Sequence, residues 1–363
     1  MNFPGLDPAW SRCHHAARAL GLARTWSILQ CREALGRQEK VLVVATTALG
    51  DSLLTTPLIE TLAHHLGPER VSLLVRAPYA ELYRGDPRLH RVFTVRGKYR
   101  WENLGPELRG DPHRIALLAN ITEPDLVPAL WWCGVRGFLR HRGRSIRYPR
   151  WIANYGMLCR PGDADYGSGH AIENNLAMAE ALGLEATTHR LGLPQFKEHG
   201  KKRTRTVLIH PGASRENKRW PVENWARLAD EVAGKFGCGI NFTGSRAEEK
   251  LVDDVILRMR ARAGNAAGTL SLTALAGLQS EAAAFLSGDT GPYHLAVAMD
   301  CPTVTLFAPT DRGSSVEACG PHNIDPARHR TIQTANYGDS ITTLSFESVW
   351  EEVQHLLEAI LPP

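Results

Sequence analysis

Apolar positions along the chain alternate between short β-branched runs and longer stretches with helical spacing. The segments KVLVVATT (40–47), RVSLLVR (70–76), RVFTV (91–95) and RIALLAN (114–120) predict strands. Several lack polar alternation, as strands do when a parallel sheet buries both their faces. A turn at Gly50-Asp51 and a helix to about Leu66 separate the first two, and HAIENNLAMAEALGL (170–184) predicts a helix that closes this half. The polar, charged stretch PQFKEHGKKRTRT (194–206) has no periodicity and reads as a linker. Alternation resumes with TVLIHPGAS (206–214), a helix over 222–236, GINFTG (239–244), a helix over 246–263, LTALAGLQSE (272–281), AAAFLSGD (282–289) and PTVTLFAP (302–309). A terminal helix, FESVWEEVQHLLEAIL, spans 346–361. Strand–helix alternation of this kind predicts α/β architecture with doubly wound parallel sheets. Two such halves leave a cleft between them, where ligands of these folds usually sit.

The resulting division has an N-terminal helical extension over 1–38, a first domain over 39–194 and a linker over 195–205. A second domain follows over 206–345, and then the terminal helix over 346–363. In the extension, Ala16, Leu20, Ala23, Trp26 and Ile28/Leu29 recur near helical spacing, with Arg12, Arg18, Arg24 and Arg32 elsewhere around the wheel. This pattern suits a helix packed on the first domain or one lying at a membrane surface.

Composition narrows the picture. A chain of 363 residues with 43% apolar and 22% charged residues can bury two ordinary cores. A formal charge of +4 is too small for bulk binding of polyanions, so nucleic acid is not an expected partner. The seven cysteines show no CxxC pair and no zinc-type cluster, which fits reduced thiols in a cytoplasmic protein. Residues 1–30 carry too many charges for a secretory core or a membrane span.

Three strand-to-helix stretches carry candidate chemistry. In SGDTGPYHLAVA (287–298) a strand ends, the chain turns through Asp289-Thr290-Gly291, and a helix starts at or just after Pro292. Unpaired amides and the positive end of the helix dipole suit a phosphate there. Gly291 permits close approach, Thr290 offers a hydroxyl, and the anionic Asp289 suits sugar hydroxyls beside the phosphate. A ligand with both a polyol and a phosphate satisfies the set; a simply capped helix is the alternative. HPGASRENKRWP (210–221) also joins a strand to a helix, and Ser214, Lys218 and Arg219 can meet a diphosphate or remain solvated. In TTALGDSLLTTP (46–57), Asp51 follows the first buried strand and suits either helix capping or catalysis. GxGxxG and GxxxxGK[ST] are absent, which argues against a dinucleotide fold and a P-loop.

Taken in order, GDSLLTTP, HPGASRENKRWP, TGSRAE and SGDTGPYHLAVA…PTVTLFAPTD resemble the ADP-heptose:lipopolysaccharide heptosyltransferases, glycosyltransferase family 9. The resemblance runs from about Val41 to the terminal helix. It implies a GT-B fold of two Rossmann-like domains facing a central cleft, with the terminal helix crossing back to the first. It also implies inverting transfer of heptose from ADP-heptose to the lipopolysaccharide core, with neither metal nor other cofactor. By position, Asp51 matches the general base and Lys218 the lysine that steadies the diphosphate, with Ser214 in the same loop. Glu248 matches an acid at the ribose and Asp289 the residue on the heptose hydroxyls. Thr290 and Gly291 match positions at the phosphates, and His294 a histidine beside them, although a neutral core histidine fits the same position. The sequence departs from the family pattern in APTDRGSSVEACGPHN, in the residue before Asp289 and in the one before His294.

The run RGFLRHRGRSIRYPR (136–150) includes Arg136, Arg140 and Arg142, candidates for an anionic acceptor or for peripheral contact with the inner face of the cytoplasmic membrane. A solvated loop accounts for the same run. Competing readings are a transferase of another nucleotide sugar, for example onto a secondary metabolite, and a silent nucleotide-sugar-binding module. A dehydrogenase fits less well without the glycine fingerprint.

Overall fold

A computed structural model describes residues 25–95, 101–120, 126–140, 157–158, 169–196 and 203–361. The described chain divides into two compact units, the first ending at Thr188 and the second beginning at His189, with His170 and Ala171 belonging to the second. The handover thus falls before the segment read as a linker.

The first unit is a parallel sheet of β1 (Val41–Ala45), β2 (Val71–Arg76), β3 (Arg91–Val95), β4 (Ile115–Asn120), β5 (Gly137–Arg140) and β6 (Met157–Leu158), in the order β3-β2-β1-β4-β5-β6. This is the Rossmann order, whose topological switch point lies between β1 and β4. Strand β1 is buried along its whole length, as its unbroken Val/Leu run predicts. Helix α1 (Ile28–Gly36) is the described part of the N-terminal extension. It begins with a capping box between Ser27 and Gln30 and buries Cys31, Ala34 and Leu35. After β1 come a five-residue helix, α2 (Leu49–Leu53), and then α3 (Thr56–Leu66). Helices α4 (Trp101–Gly110), α5 (Leu126–Trp132) and α6 (Ala171–Ala181) follow.

The second unit repeats the order. Its strands are β7 (Thr206–His210), β8 (Gly239–Phe242), β9 (Ala263–Asn265), β10 (Ala284–Gly288), β11 (Thr303–Phe307) and β12 (His329–Gln333), paired as β12-β11-β10-β7-β8-β9. The switch point here lies between β7 and β10. The helices are α7 (Val222–Phe236), α8 (Glu249–Ile256), α9 (Leu272–Glu281), α10 (Gly291–Ala298), α11 (Val316–Cys319) and α12 (Phe346–Ile360). The core joins Val207, Ile209, Trp220, Trp225, Leu286 and Val304 to Phe346, Val349, Val353, Leu356 and Leu357. Helix α12 therefore buries its apolar stripe within its own unit. Among the described residues no helix is long and apolar enough to cross a membrane, and the five described cysteines carry free thiols.

Candidate functional site

Ligands of open α/β sheets bind beyond the carboxyl ends of the strands at the switch point. In the second unit those ends carry the loop after β7 (211–221) and the turn after β10 (289–290), the two stretches with the densest chemistry. The structure brings them together. Lys218 Nζ donates to Asp289 Oδ2 at 2.9 Å, and the two side chains are only 13% and 12% exposed. His294 lies buried one turn into α10, its Nε2 3.9 Å from Asp289 Oδ1. The diphosphate and sugar candidates thus form one charged cluster.

The start of α10 has the features of an anion site. Thr290 stands at the N-cap position in extended conformation, but its side chain makes no capping bond. Its Oγ1 is buried without a hydrogen-bond partner. Pro292 has no N–H, so the amides of Thr290 and Gly291 are the donors that the turn presents. A buried hydroxyl without a partner costs about 1–3 kcal/mol unless a ligand or water meets it. Gln279, fully buried on α9, fixes the turn from behind by donating to the Pro292 carbonyl at 2.9 Å. Simple capping, the bland reading of this turn, is therefore not what the side chains do.

Glu248 is held beside this cluster. One of its carboxylate oxygens accepts from both the amide and the hydroxyl of Ser245, each at 2.7 Å. It lies 3.9 Å from His210 Nε2, while His210 Nδ1 is 3.2 Å from Thr243 Oγ1. Burial drives the His210 imidazole below its ordinary pKa, with Glu248 pulling the other way. A Cβ on Gly212 would collide with the Glu248 carboxylate, so glycine lets the acid tuck beneath the loop after β7. Ser214 is exposed on that loop.

In the first unit the matching position belongs to Asp51, in the first turn of α2 beyond the carboxyl end of β1. Its Oδ2 accepts from the Ala48 amide at 3.2 Å, so the capping role exists and engages one oxygen. The turn itself is fixed by four neutral or backbone-directed bonds. Tyr83, fully buried, donates to Ser52 Oγ at 2.9 Å, and Ser52 in turn donates to Leu49 O at 2.8 Å. Arg76 Nε donates to Thr46 O at 2.7 Å, and Asn175 Nδ2 to Leu54 O at 3.0 Å. No sequence pattern marks Tyr83 or Asn175 as supports of this turn, because their partners lie far away in the chain.

The basic run divides. Arg136 precedes β5 and so sits at the amino end of the sheet, the edge opposite Asp51. Its Nη1 donates to Trp131 O at 2.7 Å and Val135 O at 2.9 Å, and its guanidinium stacks 4.4 Å from the Trp131 ring. A structural role explains that residue, and its position argues against acceptor contact. Arg140 ends β5 on the same edge as Asp51, and Arg142 lies outside the described residues.

The family model described as glycosyltransferase family 9 (heptosyltransferase) matches residues 154–323, a span that contains the whole Lys218/Glu248/Asp289 cluster. Lipopolysaccharide heptosyltransferase 1 of Pseudomonas aeruginosa is 29% identical over 291 residues, covering 76% of this chain and 80% of that protein. Over these spans the chain is similar to glycosyltransferase family 9. Among solved structures, a family 9 glycosyltransferase from Veillonella parvula superposes on this chain with a TM-score of 0.72 at 18% identity, over 88% of this chain and 97% of that one. The Escherichia coli heptosyltransferase WaaC, solved with ADP-2-deoxy-2-fluoro heptose, gives 0.65 at 17% identity, over 87% and 99%. These likenesses establish the GT-B fold for this chain, in agreement with the two Rossmann-ordered sheets.

Proposed function

We propose that this glycosyltransferase moves heptose from ADP-heptose to an inner-core sugar of lipopolysaccharide, with inversion, with Asp51 as base and without a metal. One observation carries the reading: the second switch point joins an uncapped helix N-terminus, a buried unpartnered hydroxyl, a lysine and a carboxylate in one place. Such a set suits a nucleotide sugar, because the helix end and the lysine face phosphates while a carboxylate accepts from sugar hydroxyls. The relatives, lipopolysaccharide heptosyltransferases, supply heptose and lipopolysaccharide, and the fluoro-heptose ligand of the Escherichia coli structure supplies the ADP-linked donor.

The step balances without a cofactor. An acceptor hydroxyl oxygen attacks the anomeric carbon from the face opposite the leaving group, while its proton passes to the Asp51 carboxylate. The bond from the anomeric carbon to the β-phosphate oxygen breaks, and its electron pair leaves with ADP. Charge grows on that oxygen in an oxocarbenium-like transition state, where Lys218 and the amides of Thr290 and Gly291 stabilise it. Glu248 takes the ribose, Ser214 and His294 complete the phosphate side, and Arg140 with Arg142 receives acidic groups of the acceptor. The basic run then keeps the enzyme at the inner face of the cytoplasmic membrane, at about 1 kcal/mol per arginine that reaches the surface.

The test is ADP release from ADP-heptose, with and without truncated lipopolysaccharide acceptors, in the presence of EDTA. Acceptor-dependent release that survives EDTA supports the reading. Release from UDP- or GDP-sugars but not ADP-heptose would replace the donor.

A further inference from the structure

Three cations stand in the loop after β7, and two are engaged. Lys218 is matched by Asp289, so the pair brings almost no net charge to an arriving diphosphate. Arg219 Nε donates to Ala213 O at 3.1 Å, which turns it back on its own loop. Arg215 is exposed and has no acidic partner among the described residues. Its Nη1 meets only a neutral group, Thr310 Oγ1, at 3.5 Å.

Sheet order makes that contact informative. Arg215 follows β7, Thr310 follows β11, and β10 lies between those two strands. Strands β7 and β11 are therefore about 10 Å apart. A guanidinium that reaches from the β7 loop to the β11 loop passes in front of the carboxyl end of β10. That is where Thr290 and Gly291 present their amides. A planar fork of donors lying across a helix N-terminus suits the terminal phosphate of a diphosphate, which can take two parallel bonds from it.

From this geometry we infer that Arg215 is the uncompensated cation of the donor site and grips the β-phosphate of the nucleotide, the oxygen that leaves. The inference rests on the donor reading above and adds a residue to it. Lys218 then has a double role, bridging Asp289 to the phosphates, while Arg215 supplies the net charge. The bond from Arg215 to Thr310 yields to the stronger, charge-assisted one on binding.

Calorimetric titration of the full chain with ADP and with AMP tests this in the wild type, Arg215→Ala and Arg215→Lys. Arg215→Ala is expected to weaken ADP about ten- to hundredfold, as loss of hydrogen bonds to a charged group does. AMP, which lacks the β-phosphate, should shift by less than about threefold, so the preference for ADP collapses. Arg215→Lys keeps the charge and loses the fork, and should fall between the two. An unchanged melting temperature in both variants shows that the loop still folds. Equal ADP affinity in wild type and Arg215→Ala overturns the role of Arg215 and leaves the donor site standing. A wild type that binds neither nucleotide overturns the site and Arg215 together.

Discussion

The two switch points share one strand order and differ in what locks them. In the second unit the loops after β7 and β10 are joined by an ion pair, Lys218 to Asp289, beside an uncapped helix end. In the first unit the turn after β1 is joined to its surroundings by Tyr83, Arg76 and Asn175, all acting on hydroxyls or carbonyls. One site is built to receive negative charge, and the other to hold a single carboxylate still. On the proposed reading, the same scaffold serves leaving-group stabilisation in one half and proton removal in the other.

The largest effect belongs to Asp51→Asn. A positioned base contributes about 10²–10⁴ in rate, so turnover should fall by that factor. ADP affinity should not change, since the proposed donor residues all lie in the second unit. Steady-state kinetics with calorimetry reads both. A variant with wild-type turnover would remove Asp51 from the chemistry.

Acidification should strike both halves alike. His113 in the first unit and His329 in the second are each held at a pKa of about 4 by burial. An unfolded histidine titrates near 6.5, so the unfolded chain takes up protons between pH 6.5 and 4 while the native chain resists. Stability is full above that window and falls as pH drops through it, by on the order of 3 kcal/mol per histidine. Urea denaturation at pH 7 and pH 4.5 measures the loss, and His329→Gln should remove about half of it. A flat profile across the window would mean that neither ring stays neutral in the native state.

Lys218 and Asp289 should act as a unit. Lys218→Met or Asp289→Asn alone leaves a nearly buried polar group without its partner, at about 1–3 kcal/mol of stability. The double variant should cost less than the two singles together, with a coupling of about 1–2 kcal/mol. Additive losses in denaturation would mean that the 2.9 Å contact is incidental and the two loops are independent.

Much of this was legible in the chain because the signals are local. β-Branched runs such as VLVVA mark strands buried on both faces, and β3 falls on its predicted span at 91–95. The turn after β10 is likewise readable, since Gly, Thr and Pro at a strand-to-helix junction report backbone geometry. Strands β5, β6, β9 and β12 escaped: β5 hides in an arginine-rich run, β6 has two residues and β9 three, and β12 (HRTIQ) is a polar edge strand. Segment 246–263, read as a helix throughout, contains the shorter α8 and ends at β9, because Leu257 and the arginines after it leave the apolar face. Arg136 looked like part of a binding surface because spacing along the chain does not show which end of a strand a residue occupies. The ion pair of Lys218 with Asp289 spans 71 positions, beyond the reach of any local pattern.

The smallest effect sharpens the comparison most. Tyr83→Phe removes one buried hydroxyl and leaves Ser52 with its bond to Leu49 O. Loss of a single neutral hydrogen bond should lower stability by about 1 kcal/mol. If the Tyr83–Ser52–Leu49 chain holds the turn that aims Asp51, turnover should also fall several-fold while ADP affinity stays constant. A merely structural tyrosine would lower the melting temperature and leave turnover at low temperature untouched. Because Tyr83 belongs to the first unit and the proposed phosphate-binding groups to the second, a change in ADP affinity would show instead that the two switch points are coupled.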